Sequence, residues 1–409
     1  MPNFSIALTA LQADTVALNT IGNNLANLNT TAFKKQTTTF EDLFYQNVGT
    51  AGSGATLQVG AGTRVSGTAS NFKQGDTSPT QSPTDMALGG RGFFLVQRGN
   101  DQSLTRAGNF QLDVRGDLIT ASGESVMGYG VKDGAVNLNG GLIPLQLPLN
   151  TSEGAQPTKN MSLTVSLDAT AANGKQFTSP VTLYDSLGQS HDATVSYTKT
   201  GAATWDYSIS LPPGEATGAP VNSTGTLTFD SAGKLLSPAT NITGVSFPSM
   251  ADGASDLNFN FNLYDASGTP TFIQAAGPSN TATGTQDGFA AGIYQSFSVD
   301  AAGVISASFT NNHTAKVGQV AVAVVTNEGG LVRTGGNDFA ATDASGVISI
   351  GTANVGGRGG IVGEALELSN VDIAAEFSDL IVAQRAFEAN SKTVTTFDSV
   401  TQQAINMIR

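Results

Sequence analysis

Near the N-terminus Phe4, Leu11, Leu18 and Leu25 recur every seven residues, and Ala7, Asp14, Ile21 and Leu28 follow the same spacing three positions on. Interleaved, the two series give the 3-4 alternation of a coiled-coil seam with one polar break, at Asp14. The pattern predicts a helix over residues 4 to 28, about 37 Å long at ~1.5 Å per residue. Near the C-terminus Ile373, Phe377, Leu380, Gln384, Phe387, Val394, Ile405 and Ile408 share a second seam, interrupted by Ser391, Asp398 and Thr401. Ser369, Asn370 and Asp372 are candidate N-caps, and Glu376 and Asp379 complement the dipole of the first turns. This helix should run for roughly 35 residues, or about 50 Å. Both stripes must be covered: by each other, by a β core, or by further copies of the chain. Periodicity alone does not choose.

The middle of the chain follows a different rule. Asp113–Gly116, Asp185–Gly188, Asp230–Gly233, Asp265–Gly268, Asp300–Gly303 and Asp343–Gly346 all read D-x-x-G, flanked by alternating apolar and polar residues. Asp accepts hydrogen bonds from the turn backbone, and Gly takes the positive φ that closes a bulged hairpin. Each turn offers a single carboxylate, too few oxygens for a calcium loop. With 48 glycines and only 12% charged residues, the expected fold is mainly β. Discontinuous β-rich domains would nest along the chain, and the N- and C-terminal helices would form a coiled-coil-like terminal domain.

Composition shifts suggest the boundaries. Residues 1–30 with 364–409 form the helical terminal domain, and residues 31–70, rich in Gly, Ser and Thr, an extended connector. Residues 71–145 with 285–363 form a discontinuous β domain, and residues 146–284, holding Trp205, an inserted outer β domain. The chain goes out and comes back.

Chemistry is hard to find. A net charge of −13 argues against nucleic acid. The first basic residue is Lys34, so no Sec-type signal peptide is expected, and no apolar run approaches the ~20 residues of a membrane span. With no cysteine, disulfides and thiol chemistry are excluded. His191 and His313 stand in no ligand or catalytic motif, and "SHD" at 190–192 lies on a strand whose neighbours face opposite sides, so His191 reads as a hairpin-surface residue. Lys34 and Lys35 read as a solvated basic spot. No catalytic, cofactor or metal site is expected, and no enzymatic activity.

One segment resists the helix reading: "GNNLANLNTTAFKK", residues 22–35, places Gly22, Asn23, Asn24 and Asn27 where helix formers would be expected. These residues either trade propensity for close packing and amide bonds between neighbouring subunits, or mark a frayed exit.

Three segments together resemble the flagellar rod and hook family. "NTIGNNLANLNTTAFKKQ" is similar to its N-terminal motif, through Ala26, Asn27, Thr30 or Thr31, Phe33 and Lys34. "GGRGFFLV" and "LTRAGNFQLDVRGDLITASGESVMGY" are similar to its shared β segment. "GEALELSNVDIAAEFSDLIVAQRAFEANSKTVTTFD" is similar to its C-terminal motif, including Ser369–Asp372 and Ala383-Gln384-Arg385. The large insert resembles hook-type rather than rod-type members. The resemblance implies a structural subunit that polymerises into a curved, flexible tube, passing motor torque to the filament. Terminal helices would line a channel, and β domains would project outward. The seam residues Phe4, Leu11, Leu18, Ile21, Leu25, Ile373, Phe377, Leu380, Gln384, Phe387, Val394 and Ile405 would be the subunit contacts, with Asn23, Asn24, Asn27, Phe33 and Arg385. It also implies as partners further copies of itself, rod and hook–filament junction proteins, a hook cap and the flagellar export apparatus. No nucleic acid and no membrane insertion are implied. A distal-rod subunit would share the ends, and an adhesin would share only the turns.

Overall fold

The computed structural model describes residues 3–50, 56–149 and 151–407. Two helices stand at the ends, α1 (Asn3–Ala26) and α2 (Ile373–Met407), and the chain between them is β-rich. Two compact units emerge: Asn150–Ser296 with Ser308–Thr314, and the rest of the described chain.

In the latter unit α2 packs along α1. The polar break in the first seam has a specific partner: Asn390 Nδ2 donates to Asp14 Oδ2 at 2.8 Å. Residues 36–70 are extended, but they are paired rather than bare. Gln36–Asp42 runs antiparallel to Thr63–Ser70, and Gln46–Thr50 to Thr56–Val59, so this connector is a β ribbon. α1 lies against it, with Thr38 Oγ1 bonded to Thr20 Oγ1 at 3.0 Å.

The apolar run Phe93–Val96 explains itself here. Strand Phe93–Arg98 pairs with Asp101–Thr105, with Ser125–Lys132 and with Val322–Val324. It is buried on both faces, so alternation gives way to a continuous apolar run. Phe94 joins a core with Met86, Leu88, Phe110 and Val126, while Phe93 joins another with Leu104, Met127 and Phe339.

The other unit has one core fed by two sheets. Strands Gln176–Tyr184, Ser190–Gly201, Thr204–Ser210, Thr224–Phe229 and Leu235–Ser237 form an antiparallel meander. Strands Ile242–Phe247, Leu257–Asn262, Asn160–Asp168, Phe272–Ala275 and Asn280–Gln286 form the second sheet. Trp205 and Tyr197 of the first and Phe261 and Phe272 of the second are fully buried in that core.

At Asp113, Asp185, Asp230, Asp265 and Asp300 the D-x-x-G device works as its chemistry dictates. In each, Oδ1 accepts from the backbone N–H groups two and four residues on. The closing glycines have φ between +79° and +87°.

Candidate assembly interface

The asparagine-rich exit from α1 is a joint built within the chain. Beyond Ala26 the Thr30 hydroxyl bonds the Asn27 amide at 3.0 Å. Ala32 adopts a φ of +53°, and Phe33 turns inward with 4% exposure. Arg333 lies over the Phe33 ring at 4.8 Å and donates to the Lys34 carbonyl, while the Asn337 amide donates to the Thr31 carbonyl.

Lys34 is not a solvated cation. It is completely buried, its Nζ 2.6 Å from Glu367 Oε1 and 2.9 Å from the Lys73 carbonyl. Glu367 is equally buried and also takes Arg106 on Oε2 at 3.3 Å and the Gly75 N–H on Oε1 at 2.8 Å. Burial lowers the pKa of both Lys34 and Arg106, and Glu367 works against that fall. Two cations thus share one carboxylate. Lys34 belongs to the N-terminal motif, Arg106 to "LTRAGNF" and Glu367 to the C-terminal motif, so all three meet at a single carboxylate.

A second tier lies beside it. The Asn370 side chain accepts from Lys35 N at 2.7 Å and donates to the Asn71 and Lys73 carbonyls at 2.8 Å each. Asp372 caps α2, its Oδ1 accepting from Ala374 N at 2.8 Å and Ala375 N at 3.1 Å. Glu376, 1% exposed, holds Lys35 Nζ at 2.5 Å and accepts from Asn24 Nδ2 at 3.2 Å. Asn24 also mimics a strand neighbour for Gln36, whose N–H and carbonyl it engages at 2.8 Å each.

For Asn24 the structure replaces the reading of a bond between subunits with bonds inside the chain. Asn24 is buried and fully engaged inside the chain. Asn23 is exposed, donating to the Gln36 side chain at 3.4 Å, and the Asn27 amide returns to the Asn23 carbonyl at 2.9 Å. Glu367 and Arg106 escaped sequence reasoning, although "EALEL" carried a signal: period two places Glu367 on the same buried face as Ala365.

The seam residues divide. Fully buried positions of α1 are small or polar, namely Ala7, Ala13, Thr20 and Asn24, whereas Leu11, Leu18, Ile21 and Leu25 are half-buried. The side chain of Phe4 lies outside the described residues, as does Ile408. On α2, Leu380 and Val394 are half-buried, while Ile373, Phe377, Gln384 and Phe387 stay exposed, and Arg385 pairs with its neighbour Glu388 at 3.0 Å. Every residue from Asp398 to Met407, Ile405 included, is exposed.

Four family models match segments of this layout. They are the Flagella basal body rod protein at residues 4–34, the Flagellar hook protein FlgE/F/G D1 domain at 87–168, the Flagellar basal body protein FlaE D2 domain at 148–289 and the Flagellar basal body rod FlgEFG protein C-terminal at 362–407. The flagellar hook protein FlgE of Salmonella typhimurium is 31% identical over 420 residues, spanning 99% of this chain and 100% of its own. This chain belongs to the flagellar hook protein FlgE family. The family member of Rhizobium meliloti is 33% identical over 414 residues, 98% of each chain. The crystal structure of Helicobacter pylori flagellar hook protein FlgE2 shares the fold, with a TM-score of 0.54 at 17% identity over 69% of this chain and 98% of its own. The full-length match and the D2 segment select the hook reading over the rod and adhesin readings. Among the described residues no helix is long and apolar enough to cross a membrane.

Proposed function

We propose that this chain is the repeated structural subunit of a bacterial flagellar hook, and that the exposed apolar face of α2 is the surface its copies share. The observation that carries this reading is that face. Ile373 is 47% exposed, Phe377 48%, Ile381 58% and Ile405 58%, on one side of a helix about 52 Å long. Among the described residues that side of α2 stays about half exposed, and isolated proteins seldom leave such a stripe bare. Copies meeting through different surfaces on each side extend into a helical tube. The half-buried leucines of α1 supply the complementary surface. A curved, flexible tube of this kind transmits motor torque to the filament, with the rod, the hook–filament junction, a cap and the export apparatus as its further partners.

No catalytic step is assigned to a member of this structural family. On the strand Ser190–Gly201, Ser190 and Asp192 face out while His191 faces in, so the triplet is not a triad.

Electron microscopy in ammonium sulfate tests the reading, since sulfate strengthens apolar burial. The intact chain should form curved tubes, and a Phe377→Asp/Phe387→Asp variant, altered only at exposed positions, should stay monomeric. Tubes of equal yield from the variant would remove α2 from the interface. Truncation before residue 367 is a poor control, because it removes the carboxylate that Lys34 and Arg106 share.

A further inference from the structure

The Asn150–Ser296 unit contains a cluster that the hook reading does not use. His191 begins as an inward-facing residue of its strand, in the same alternation as Ala193, Val195 and Tyr197, and is 4% exposed. The sequence reading of a surface histidine is overturned here. Its Nδ1 lies 2.8 Å from Glu215 Oε2, and its Nε2 lies 3.2 Å from Asp185 Oδ2 and 3.7 Å from Asp252 Oδ2.

Both aspartates are aimed in the same way. Asp185 spends Oδ1 on its D-x-x-G turn, accepting from Leu187 and Gln189 N–H at 2.9 Å each, and Asp252 spends Oδ1 on Ala254 N–H at 3.0 Å. Each leaves Oδ2 for the centre. The Nε2, Asp185 Oδ2 and Asp252 Oδ2 atoms all lie within 4.8 Å of one another. In a tetrahedral site with bonds of about 2.0–2.1 Å, ligand atoms sit about 3.3–3.4 Å apart, and the two imidazole–carboxylate separations straddle that spacing. Glu215 on Nδ1 completes the arrangement in which a carboxylate fixes the tautomer of a metal-bound histidine. With Nδ1–H donated to Glu215, Nε2 faces two carboxylates, a position that a ring proton or a metal ion can fill.

We propose that Asp185, His191 and Asp252 form a binding site for a divalent first-row ion of the zinc type. Glu215 orients the imidazole, and water takes the remaining position. One nitrogen and two carboxylate oxygens suit such an ion better than calcium or magnesium, which prefer oxygen alone. The ligands come from a turn, a strand and the 249–256 loop. The ion would therefore brace one end of a unit that has no disulfide. Asp252, with a side chain 30% exposed, gives it a way in.

The test uses the full chain stripped with a chelator and titrated with ZnCl2 in a calorimeter, with CoCl2 as an optical probe. The expected result is one ion per chain, visible cobalt bands of tetrahedral intensity, and an unfolding temperature of this unit that climbs with zinc concentration. Asp252→Asn and His191→Gln should each weaken binding by about 100-fold or more, and Glu215→Gln by about 10-fold. Asp252→Asn changes a partly exposed side chain and keeps the fold even if His191→Gln does not. Absence of saturable binding, or binding unchanged in Asp252→Asn, would overturn the site. So would binding that follows His313→Gln instead, because His313 and Glu153 form a separate pair at 2.9 Å.

Discussion

Replacing Glu367 by glutamine tests the joint where the three sequence motifs meet, and the charge balance sets the size of the effect. The native cluster holds two buried cations and one buried anion. Glu367→Gln preserves shape and an acceptor for Gly75 N–H, but leaves both cations with only the weaker pull of Glu328 as counter-charge. Removing one member of a buried ion pair costs about 3–5 kcal/mol. Lys34 sets a ceiling, because it can shed its proton: from an ordinary pKa of 10.5 down to pH 7 this costs about 5 kcal/mol at ~1.36 kcal/mol per pH unit. For a unit of this size that is a fall of roughly 10 °C in its melting temperature.

The control is Lys34→Met. It removes a cation from a cluster with one too many, leaving a neutral Arg106–Glu367 pair and a Lys73 carbonyl that keeps only its Asn370 donor, for about 1–3 kcal/mol. Glu367→Gln must therefore be the worse variant, which a count of lost contacts alone would not predict. The pH dependence is also signed. Burial already lowers the Lys34 pKa, and the variant lowers it further, so the unfolded chain binds more protons and stability relative to wild type recovers as pH rises from 7 to 9. Calorimetry of the full chain, following the transition of the helix-bearing unit, measures both. If Lys34→Met proved the more damaging change, or Glu367→Gln cost under about 1 kcal/mol, the charge argument would be wrong.

Other outcomes follow from the same geometry. Asn24→Ala should cost about 2–3 kcal/mol, since it strands the N–H and carbonyl of Gln36, whereas exposed Asn23→Ala should lie within about 0.5 kcal/mol of wild type, both read by urea unfolding. Asp338 is raised to about 7, first by burial and then by its contact with Glu124, so it favours the fold while protonated. That contribution is complete below pH 4 and is lost as pH rises through 7. Asp338→Asn should flatten the fall in melting temperature between about pH 4 and 7. Gly108→Ala would bring a Cβ to 1.6 Å from the Met86 carbonyl and should prevent folding of that unit, seen as loss of near-ultraviolet dichroism, whereas Gly123→Ala meets no atom within 4 Å and should cost only about 1 kcal/mol for its positive φ.

The helices and turns were legible because each rests on local rules. Seven-residue spacing places α1 and α2, and an Asx side chain followed by glycine closes a turn wherever it occurs. The joint was not legible, because what decides it is non-local. Lys34 and Glu367 are separated by 333 positions, and nothing in "FKKQ" distinguishes a buried lysine from a solvated one. His191 was misread for a local reason instead: it shares the parity of Ala193, Val195 and Tyr197, so period two already placed it on the apolar, inward face of its strand. The seams were half legible: their spacing is real, yet the residues in closest contact between α1 and the rest of the chain are Ala7, Ala13, Thr20 and Asn24, and most of the larger apolar residues stay open.

That division has a mechanical sense. A subunit that must stack into a tube cannot bury its best apolar side chains inside itself. α2 packs along α1, and the Asp14–Asn390 bond ties the two helices without consuming leucines or phenylalanines. The asparagines and buried ions at the exit of α1 then fix the direction in which the pair leaves the β ribbon, using polar bonds whose geometry is far more directional than apolar packing. On this argument the Glu367 variants should do more than lower stability. At a temperature where Lys34→Met and Glu367→Gln are both folded, the helices of Glu367→Gln would lose their fixed direction, and its tubes should form slowly or irregularly. Lys34→Met, which keeps the Arg106–Glu367 pair, should polymerise close to normally. Equal tubes from both variants would mean that the ion cluster sets stability alone, and that direction comes from Asn24 and Asn370.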